Sequence, residues 1–252
     1  MYQEERQKYI LDYVTKNKKA STKELSDLLN TSLVTIRTDL RVLQEKGLLV
    51  KTHGGVMINS YKINDVIPSD IKFQKHKKEK RKIAEIANRY INDGDILIID
   101  SGSTTLELAK CINAKNLTVF TNDLQIALEL SKKKDVSVNV SGGSLIPGVY
   151  TLTGYDSVDF YKGIHVEKLF LSCDAIDADF GISNRDIREV EIKKAMLKSA
   201  NEVFMMADHS KMNAKVLIKV TGFENIDKLI ADEIPKELRD IISSKGVEVI
   251  TE

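Results

Sequence analysis

Residues 95–110 read DILIIDSGSTTLELAK. An apolar strand runs into a small, hydroxyl-rich loop, and a helix follows. That is the form of a phosphate-binding turn in a metabolic enzyme. Residues 32–55 read SLVTIRTDLRVLQEKGLLVKTHGG, a stretch suited to lying on DNA. The sequence has to decide between catalysis and DNA binding, or combine the two.

Working outward from residue 95, apolar strand candidates recur at DILIID (95–100), LTVFTN (117–122), VSVNVSGG (136–143), LFLSCDAI (169–176), EVFMMAD (202–208), KLIADE (228–233) and VEVI (247–250). Amphipathic helices are expected near 104–113, 122–133, 188–201 and 235–244. Such alternation predicts an α/β domain with a largely parallel sheet. Ligands bind beyond the carboxyl ends of the strands in such sheets.

Those ends are polar. Asp100, Gly102, Ser103, Thr104 and Thr105 follow the first strand, and Thr121 and Asn122 the second. Gly142 and Gly143 follow the third, Asp174 the fourth, and Asp208, His209, Ser210 and Lys211 the fifth. Gly102 lets the backbone come close, and the hydroxyls with the helix N–H groups suit an anion. Lys211 supplies a cation for a phosphate, while the carboxylates suit sugar hydroxyls. Neither GxxxxGK[ST] nor GxGxxG occurs, so no nucleotide cofactor is expected. Metal-ligand spacing is missing too, and His165 and His209 read as isolated surface or packing residues.

The first sixty residues read differently. Tyr9, Ile10, Tyr13 and Val14 mark a helical face within residues 3–17. Ser21 and Glu24 have capping-box spacing, and the helix they open buries Leu25, Leu28 and Leu29. Asn30-Thr31 makes a tight turn. Ser32 caps a third helix, which Gly47 ends. Ile36, Leu40 and Leu43 face its core, while Thr35, Arg37, Thr38 and Arg41 form a polar-basic outer face. Such side chains bond phosphates and base edges. Two strands around Gly54-Gly55 complete a winged helix-turn-helix, with Lys51 and His53 on the wing. Asp39 would repel phosphate on the outer face, so its expected role is to orient a neighbouring Arg.

Charge divides the chain the same way. Residues 1–82 hold 18 Lys+Arg against 10 Asp+Glu, a net of +8; residues 83–252 hold 20 against 27, a net of −7. The basic front end is either a polyanion-binding surface or a solvated Lys-rich face. The run KFQKHKKEKRK (72–82) either tracks a phosphate backbone or opens the next helix in solvent. A hydrophobic fraction of 42% beside 30% charged residues is that of a soluble globular protein. No apolar run approaches the ~20 residues of a membrane span, and MYQEERQKYI carries no signal-peptide core. Cys111 and Cys173 form no cluster, which suggests reduced, buried thiols in a cytoplasmic protein. The expected domains are residues 1–58, a linker at 59–76 containing Pro68, and residues 77–252.

The front segment resembles the winged helix-turn-helix of the DeoR family of bacterial transcription regulators. The matching residues are Glu5-Arg6, Ser32-x-x-Thr35-Ile36-Arg37-x-Asp39-Leu40, Gly47-Leu48 and Thr52-His53-Gly54-Gly55. Thr38 stands where the family usually has a second basic residue, which puts operator sequence or affinity in doubt. The rest resembles the DeoR-type sensor domain, whose fold is that of ribose-5-phosphate isomerase. The motifs are Ile83-Ala84, Asp93-Gly94-Asp95, Asp100-x-Gly102-x-Thr104-Thr105, Thr121-Asn122, Gly142-Gly143, Asp174 before Gly181, Glu189-x-x-x-Lys193 and Ala207-Asp208-x-Ser210-Lys211. Ser103 replaces the commoner Thr and keeps the hydroxyl; Cys173 replaces a small residue. Arg185 and Arg188 either reach a ligand or begin a solvated helix.

The resemblance implies a homo-oligomer, dimer or tetramer, that represses a sugar uptake or catabolism operon. A phosphorylated sugar at the strand-end loops would change its affinity for double-stranded operator DNA. The alternative is a sugar-phosphate isomerase-like enzyme with an accessory docking module. Residue types at the strand ends do not separate the two, since acid–base chemistry and binding need the same groups. The attached DNA reader favours the regulator.

Overall fold

The computed structural model describes residues 3–17, 19–45, 49–52, 54–58 and 69–252. His53, Gly47, Leu48 and residues 59–68 of the expected linker lie outside the described residues. The chain forms two compact units, residues 1–62 and 63–252.

The first unit runs α1 (Gln3–Asn17), β1 (Lys19–Ser21), α2 (Thr22–Leu28), α3 (Leu33–Glu45), β2 (Leu49–Thr52) and β3 (Gly55–Ile58). The capping box at α2 is formed. Glu24 N–H donates to Ser21 Oγ at 3.0 Å, and Ser21 N–H to Glu24 Oε2 at 3.1 Å. Asn30 turns the chain with a left-handed φ of 46°. Ser32 Oγ then accepts from Thr35 N–H at 3.2 Å and caps α3. Ile10, Val14, Leu25, Ile36, Leu40 and Leu43 share one core with Leu49 and Val56. Leu28 does not join it; it is 45% exposed.

The wing has an extra strand that the sequence reading missed. Its sheet order is β1-β3-β2, with Ser21 opposite Gly55. A side chain at Gly55 would sit 2.2 Å from Ala20 O, so β1 and β3 approach too closely for any residue but glycine.

The second unit opens with α4 (Ser69–Gln74) and α5 (Lys77–Asn88), then β4 (Ile96–Ile99), α6 (Ser103–Cys111), β5 (Leu117–Thr121), α7 (Leu124–Leu130) and β6 (Val136–Val140). A hairpin of β7 (Ser144–Leu145) and β8 (Leu152–Thr153) precedes α8 (Tyr155–Lys162) and β9 (Val166–Ser172). Then come β10 (Ala175–Asp177), β11 (Gly181–Asn184), α9 (Ile187–Lys198), β12 (Ala200–Met206), β13 (Ile218–Thr221), β14 (Lys228–Ile230), α10 (Lys236–Ser244) and β15 (Glu248–Ile250). The segment expected as one strand at 169–176 is two, β9 and β10, broken at Cys173-Asp174. Residues 69–74, inside the expected linker, are helical and belong to this unit.

Seven parallel strands form the main sheet in the order β15-β14-β12-β9-β4-β5-β6. Its central strands are buried on both faces, which is why Leu97, Ile98 and Ile99 form an apolar run. Ile98, Leu169, Leu171, Val203 and Met205 pack with α8, α9 and α10. Leu97, Ile99, Phe170, Phe204 and Met206 pack with α5, α6 and α7 on the other side. Phe170 and Phe204 stack at 4.9 Å. From β4 the chain winds outward through β5 and β6, then returns to lay β9 against β4 and winds the other way. The direction of winding therefore reverses between β4 and β9. The loops leaving those two strands part at that point and open a crevice beyond their carboxyl ends.

Candidate functional site

The crevice is lined by Ser101, Gly102, Ser103 and Thr104 after β4, and by Ser172, Cys173 and Asp174 after β9. Asn184, Glu189 and Lys211 add a polar wall, Val149 and Thr151 a second, and Ser69 and Lys72 of α4 a third. The crevice is partly open to solvent and has a cavity volume of about 30 Å³.

Gly102 opens α6 where no side chain fits. A Cβ there would lie 2.6 Å from Ser172 Oγ and 2.7 Å from Ser172 Cβ. With the backbone pressed against β9, the first-turn N–H groups of α6 have no intrahelical acceptor. The hydroxyls of Ser103 and Thr104 stand beside them. This end of the crevice suits an anion.

Lys211 is half-buried. It sits in a short 3₁₀ turn (His209–Lys211) that Asp208 caps by accepting from Ser210 N–H at 3.1 Å. No described residue accepts a hydrogen bond from its ammonium.

Asp174 is buried and already engaged. Its Oδ1 accepts from Lys72 Nζ at 3.0 Å and lies 3.1 Å from Arg185 Nη1; its Oδ2 accepts from Arg185 N–H at 3.2 Å. Burial would raise its carboxyl pKa, but Lys72, Arg185 and Lys211 hold it below the usual carboxylate range. Glu189, beside it, is pushed upward by burial, with Lys72 opposing and Asp174 reinforcing the rise. Asn184 Nδ2 donates to Glu189 Oε2 at 3.2 Å. The crevice thus pairs an anion-binding end with a wall of hydrogen-bonding groups suited to hydroxyls.

Several expected ligand residues lie elsewhere. Asp100 is 1% exposed and stands behind the crevice. Its Oδ2 accepts from Ser172 N–H and Ser172 Oγ, each at 2.9 Å, and from Lys193 Nζ. It ties β4 to β9 and α9. Thr105 is fully buried and donates to Gly102 O at 2.9 Å. Thr121 Oγ1 accepts from Asp123 N–H at 3.1 Å, and Asn122 Oδ1 from Ser101 N–H at 3.1 Å. Gly142 and Gly143 turn the chain with φ of 68° and 104°, away from the lining. All of these shape the loops; Gly102, Ser103, Thr104, Asp174 and Lys211 line the crevice itself.

Other expectations also need correction. The basic run 72–82 is neither a free polycation nor wholly solvated. Lys72 enters the crevice, and Lys80 is buried, donating to Lys72 O at 2.5 Å and Lys75 O at 2.8 Å. Arg185 binds Asp174, whereas Arg188 is exposed and pairs with Asp186. His209 is not isolated. Its Nδ1 lies 2.6 Å from Asp232 Oδ2, and its ring stands edge-on to His76 at 4.8 Å. Both cysteines are half-buried rather than buried. Burial pushes the Cys173 thiol up to about 12, so it stays protonated at neutral pH and makes a poor redox switch. Ser69, Lys72, Thr151, Ser172, Asn184 and Glu189 were not among the expected ligand residues. Of these, Glu189 stood in a quoted motif, and Ser172 lay inside the strand expected at 169–176. Lys72 was hidden in a charge run.

In the first unit, Ser32, Arg37, Thr38 and Arg41 are exposed on α3, Thr35 is half-buried and Lys51 is exposed on β2. Ser32 and Thr35 share a hydroxyl contact at 2.9 Å, and Thr38 Oγ1 donates to Val34 O at 3.1 Å. Val34, 71% exposed, adds an apolar contact point to the same surface. Asp39 is turned inward, as its charge requires. It pairs with Arg6 and accepts from Gln7 Nε2 at 3.1 Å, binding α3 to α1.

The profile of the DeoR-like helix-turn-helix domain matches residues 6–62, and that of the DeoR C terminal sensor domain matches residues 75–233. The chain is similar along its length to the HTH-type transcriptional regulator GolR of Listeria innocua serovar 6a. Identity is 34% over 256 residues, covering 99% of this chain and 98% of that protein. It is 32% identical to the HTH-type transcriptional regulator IolR of Bacillus subtilis (strain 168), with 91% and 90% covered. It is 31% identical to the HTH-type transcriptional repressor GlcR of the same organism, with 99% and 96% covered. Among solved structures, ribose 5-phosphate isomerase A of Methanocaldococcus jannaschii matches 55% of each chain at 14% identity and a TM-score of 0.39. Among the described residues no helix is long and apolar enough to cross a membrane. With a DNA-reading unit and a sensor unit each matched, and with relatives that are regulators end to end, this chain belongs to the DeoR family of transcriptional regulators and is not an enzyme.

Proposed function

We propose that the protein represses a sugar uptake or catabolism operon, and that a phosphorylated sugar bound in the crevice controls its affinity for operator DNA. The observation that carries this reading is the half-buried Lys211 ammonium. It has no hydrogen-bond acceptor among the described residues and shares a crevice with Ser103 and Thr104 at the start of α6. That pairing fits a phosphate. Asp174, Glu189 and Asn184 fit the sugar hydroxyls. Asp100, Thr105, Thr121, Asn122, Gly142 and Gly143 act on the ligand through the loops they hold.

On DNA, two or more copies place α3 in successive major grooves, about 34 Å apart. Arg37 and Arg41 contact phosphate or base edges, Ser32, Thr35 and Thr38 line the approach, and Lys51 with His53 touches the backbone from the wing. The effector binds one arrangement of the sensor better than the other and shifts the DNA-competent population by that difference.

The test is thermal stability of the full chain against a panel of sugar phosphates and their free sugars. One phosphorylated sugar should raise the melting temperature while its free sugar does not. Lys211→Ala should abolish that rise and leave ligand-free DNA binding unchanged. Loss of both together would overturn the assignment of Lys211 to the ligand.

A further inference from the structure

The cavity of about 30 Å³ holds a water or two, so a phosphorylated sugar seated fully inside it needs the wall to give way. Ser101–Thr104 and Ser172–Asp174 follow strands of the main sheet, Glu189 sits on α9, Val149 and Thr151 lie in the β7–β8 hairpin and Lys211 in a 3₁₀ turn. α4 contributes Ser69 and Lys72. It is six residues long, far too short to persist as a helix without outside contacts.

Phe73 anchors α4 apolarly, packing against the core shared by α5 and α6, and three polar ties add to that. Ser69 N–H donates to Gly148 O at 2.9 Å. Lys80 donates to the carbonyls of Lys72 and Lys75, which close the carboxyl end of α4. Lys72 reaches across the crevice to Asp174 at 3.0 Å. The first two ties join α4 to groups a ligand does not touch. The third lies inside the crevice and is ionic, so an incoming anion offers Lys72 a second negative partner in place of Asp174. The turn behind α4 is made by His76, a non-glycine residue in the left-handed region at φ 52°. Such a residue stays in place only while its surroundings hold it there.

We propose that α4 is a latch over the effector crevice, pinned by the Lys72–Asp174 pair, and that a phosphorylated ligand opens it by taking Lys72. In the chain α4 is the first described element of the second unit, so opening the latch acts on the part of the sensor nearest in sequence to the DNA-reading unit. This rests on the sugar-phosphate reading for the nature of the trigger, not for the latch itself.

The experiment compares the full-length wild type with Lys72→Met, Lys72→Arg and Lys77→Met, all without ligand. Lys77 is exposed on α5 and serves as the control for lost charge. Amide exchange over residues 69–76 is followed by mass spectrometry. DNA affinity is measured on a duplex selected by the wild-type protein from a random-sequence pool. Lys72→Met should exchange about tenfold faster over α4, with β4 and α5 unchanged. It should also bind the duplex several-fold more weakly than Lys77→Met, while Lys72→Arg keeps wild-type protection. Unchanged exchange in Lys72→Met would overturn the latch. DNA affinity equal to that of Lys77→Met would overturn its link to the DNA-reading unit. Both arms omit ligand, so a failed sugar-phosphate panel leaves them standing and their failure leaves the panel's result standing.

Discussion

Gly102 brings the start of α6 close against Ser172 at the end of β9, and its replacement is the sharpest test of how the crevice is built. A Cβ at this position meets Ser172 at 2.6 Å, so Gly102→Ala must push β4 and β9 apart. We expect a loss of about 1–3 kcal/mol in stability by chemical unfolding, together with loss of the effector response. Lys80 makes a prediction of a different kind. Burial lowers its ammonium to about 8 from 10.5, with Lys211 and Lys72 adding to the fall and Asp208 opposing it. The folded chain therefore holds this proton less tightly than the unfolded chain. Stability contributed at this site is smallest below pH 8 and rises as pH climbs from about 8 towards 10.5. Melting curves across that window should show the rise, and Lys80→Met should flatten it. Single residues were also where the sequence said least. Asp100 and Thr105 have the right chemistry for a ligand and also bond Ser172, Lys193 and Gly102, partners that are distant in the chain or hidden in a tight turn.

The elements tell a more legible story. The capping box at Ser21, the hydroxyl cap at Ser32 and the apolar spacing of Ile36, Leu40 and Leu43 are local signals, and α2 and α3 follow from them. Strands β4, β5 and β12 were legible because a buried parallel strand writes itself as an apolar run. By contrast β1 is three residues long and exists only because β3 pairs with it. Helix α4 is held by Phe73 on the core and by the ties of Ser69, Lys72 and Lys80, none of them legible locally, so its charge run read as linker and solvent face. α3 divides its two faces cleanly, and two substitutions should separate them. Arg37→Ala should cost about 1–3 kcal/mol of DNA affinity in a mobility-shift titration and leave folding intact. Asp39→Ala removes the buried carboxylate that ties α3 to Arg6 and Gln7 of α1, and should destabilise the first unit by about 3 kcal/mol, read as faster amide exchange in α1 and α3.

The molecule as a whole joins a basic reader of nucleic acid to a sheet whose winding reverses at β4 and β9. Charge follows that division more weakly than the sequence split at residue 82 suggested: residues 1–62 hold 11 Lys+Arg against 7 Asp+Glu, a net of +4, and residues 63–252 hold 27 against 30, a net of −3. Polar strand ends announced a ligand site. They did not announce which ends would meet, because that depends on strand order, and β5 and β6 lie away from the reversal. Hence Gly102, Ser103, Thr104, Asp174 and Lys211 share a crevice while Gly142 and Gly143 do not. The central claim is that this crevice controls the DNA-reading unit, and DNA affinity with and without effector tests it most directly. Full-length protein is titrated onto a selected duplex in the presence of each sugar phosphate and its free sugar. One phosphorylated sugar should change the affinity, its free sugar should not, and Lys211→Ala should bind the duplex normally while ignoring both. A response to the free sugar equal to that of its phosphate would contradict the account, as would an undiminished response in Lys211→Ala.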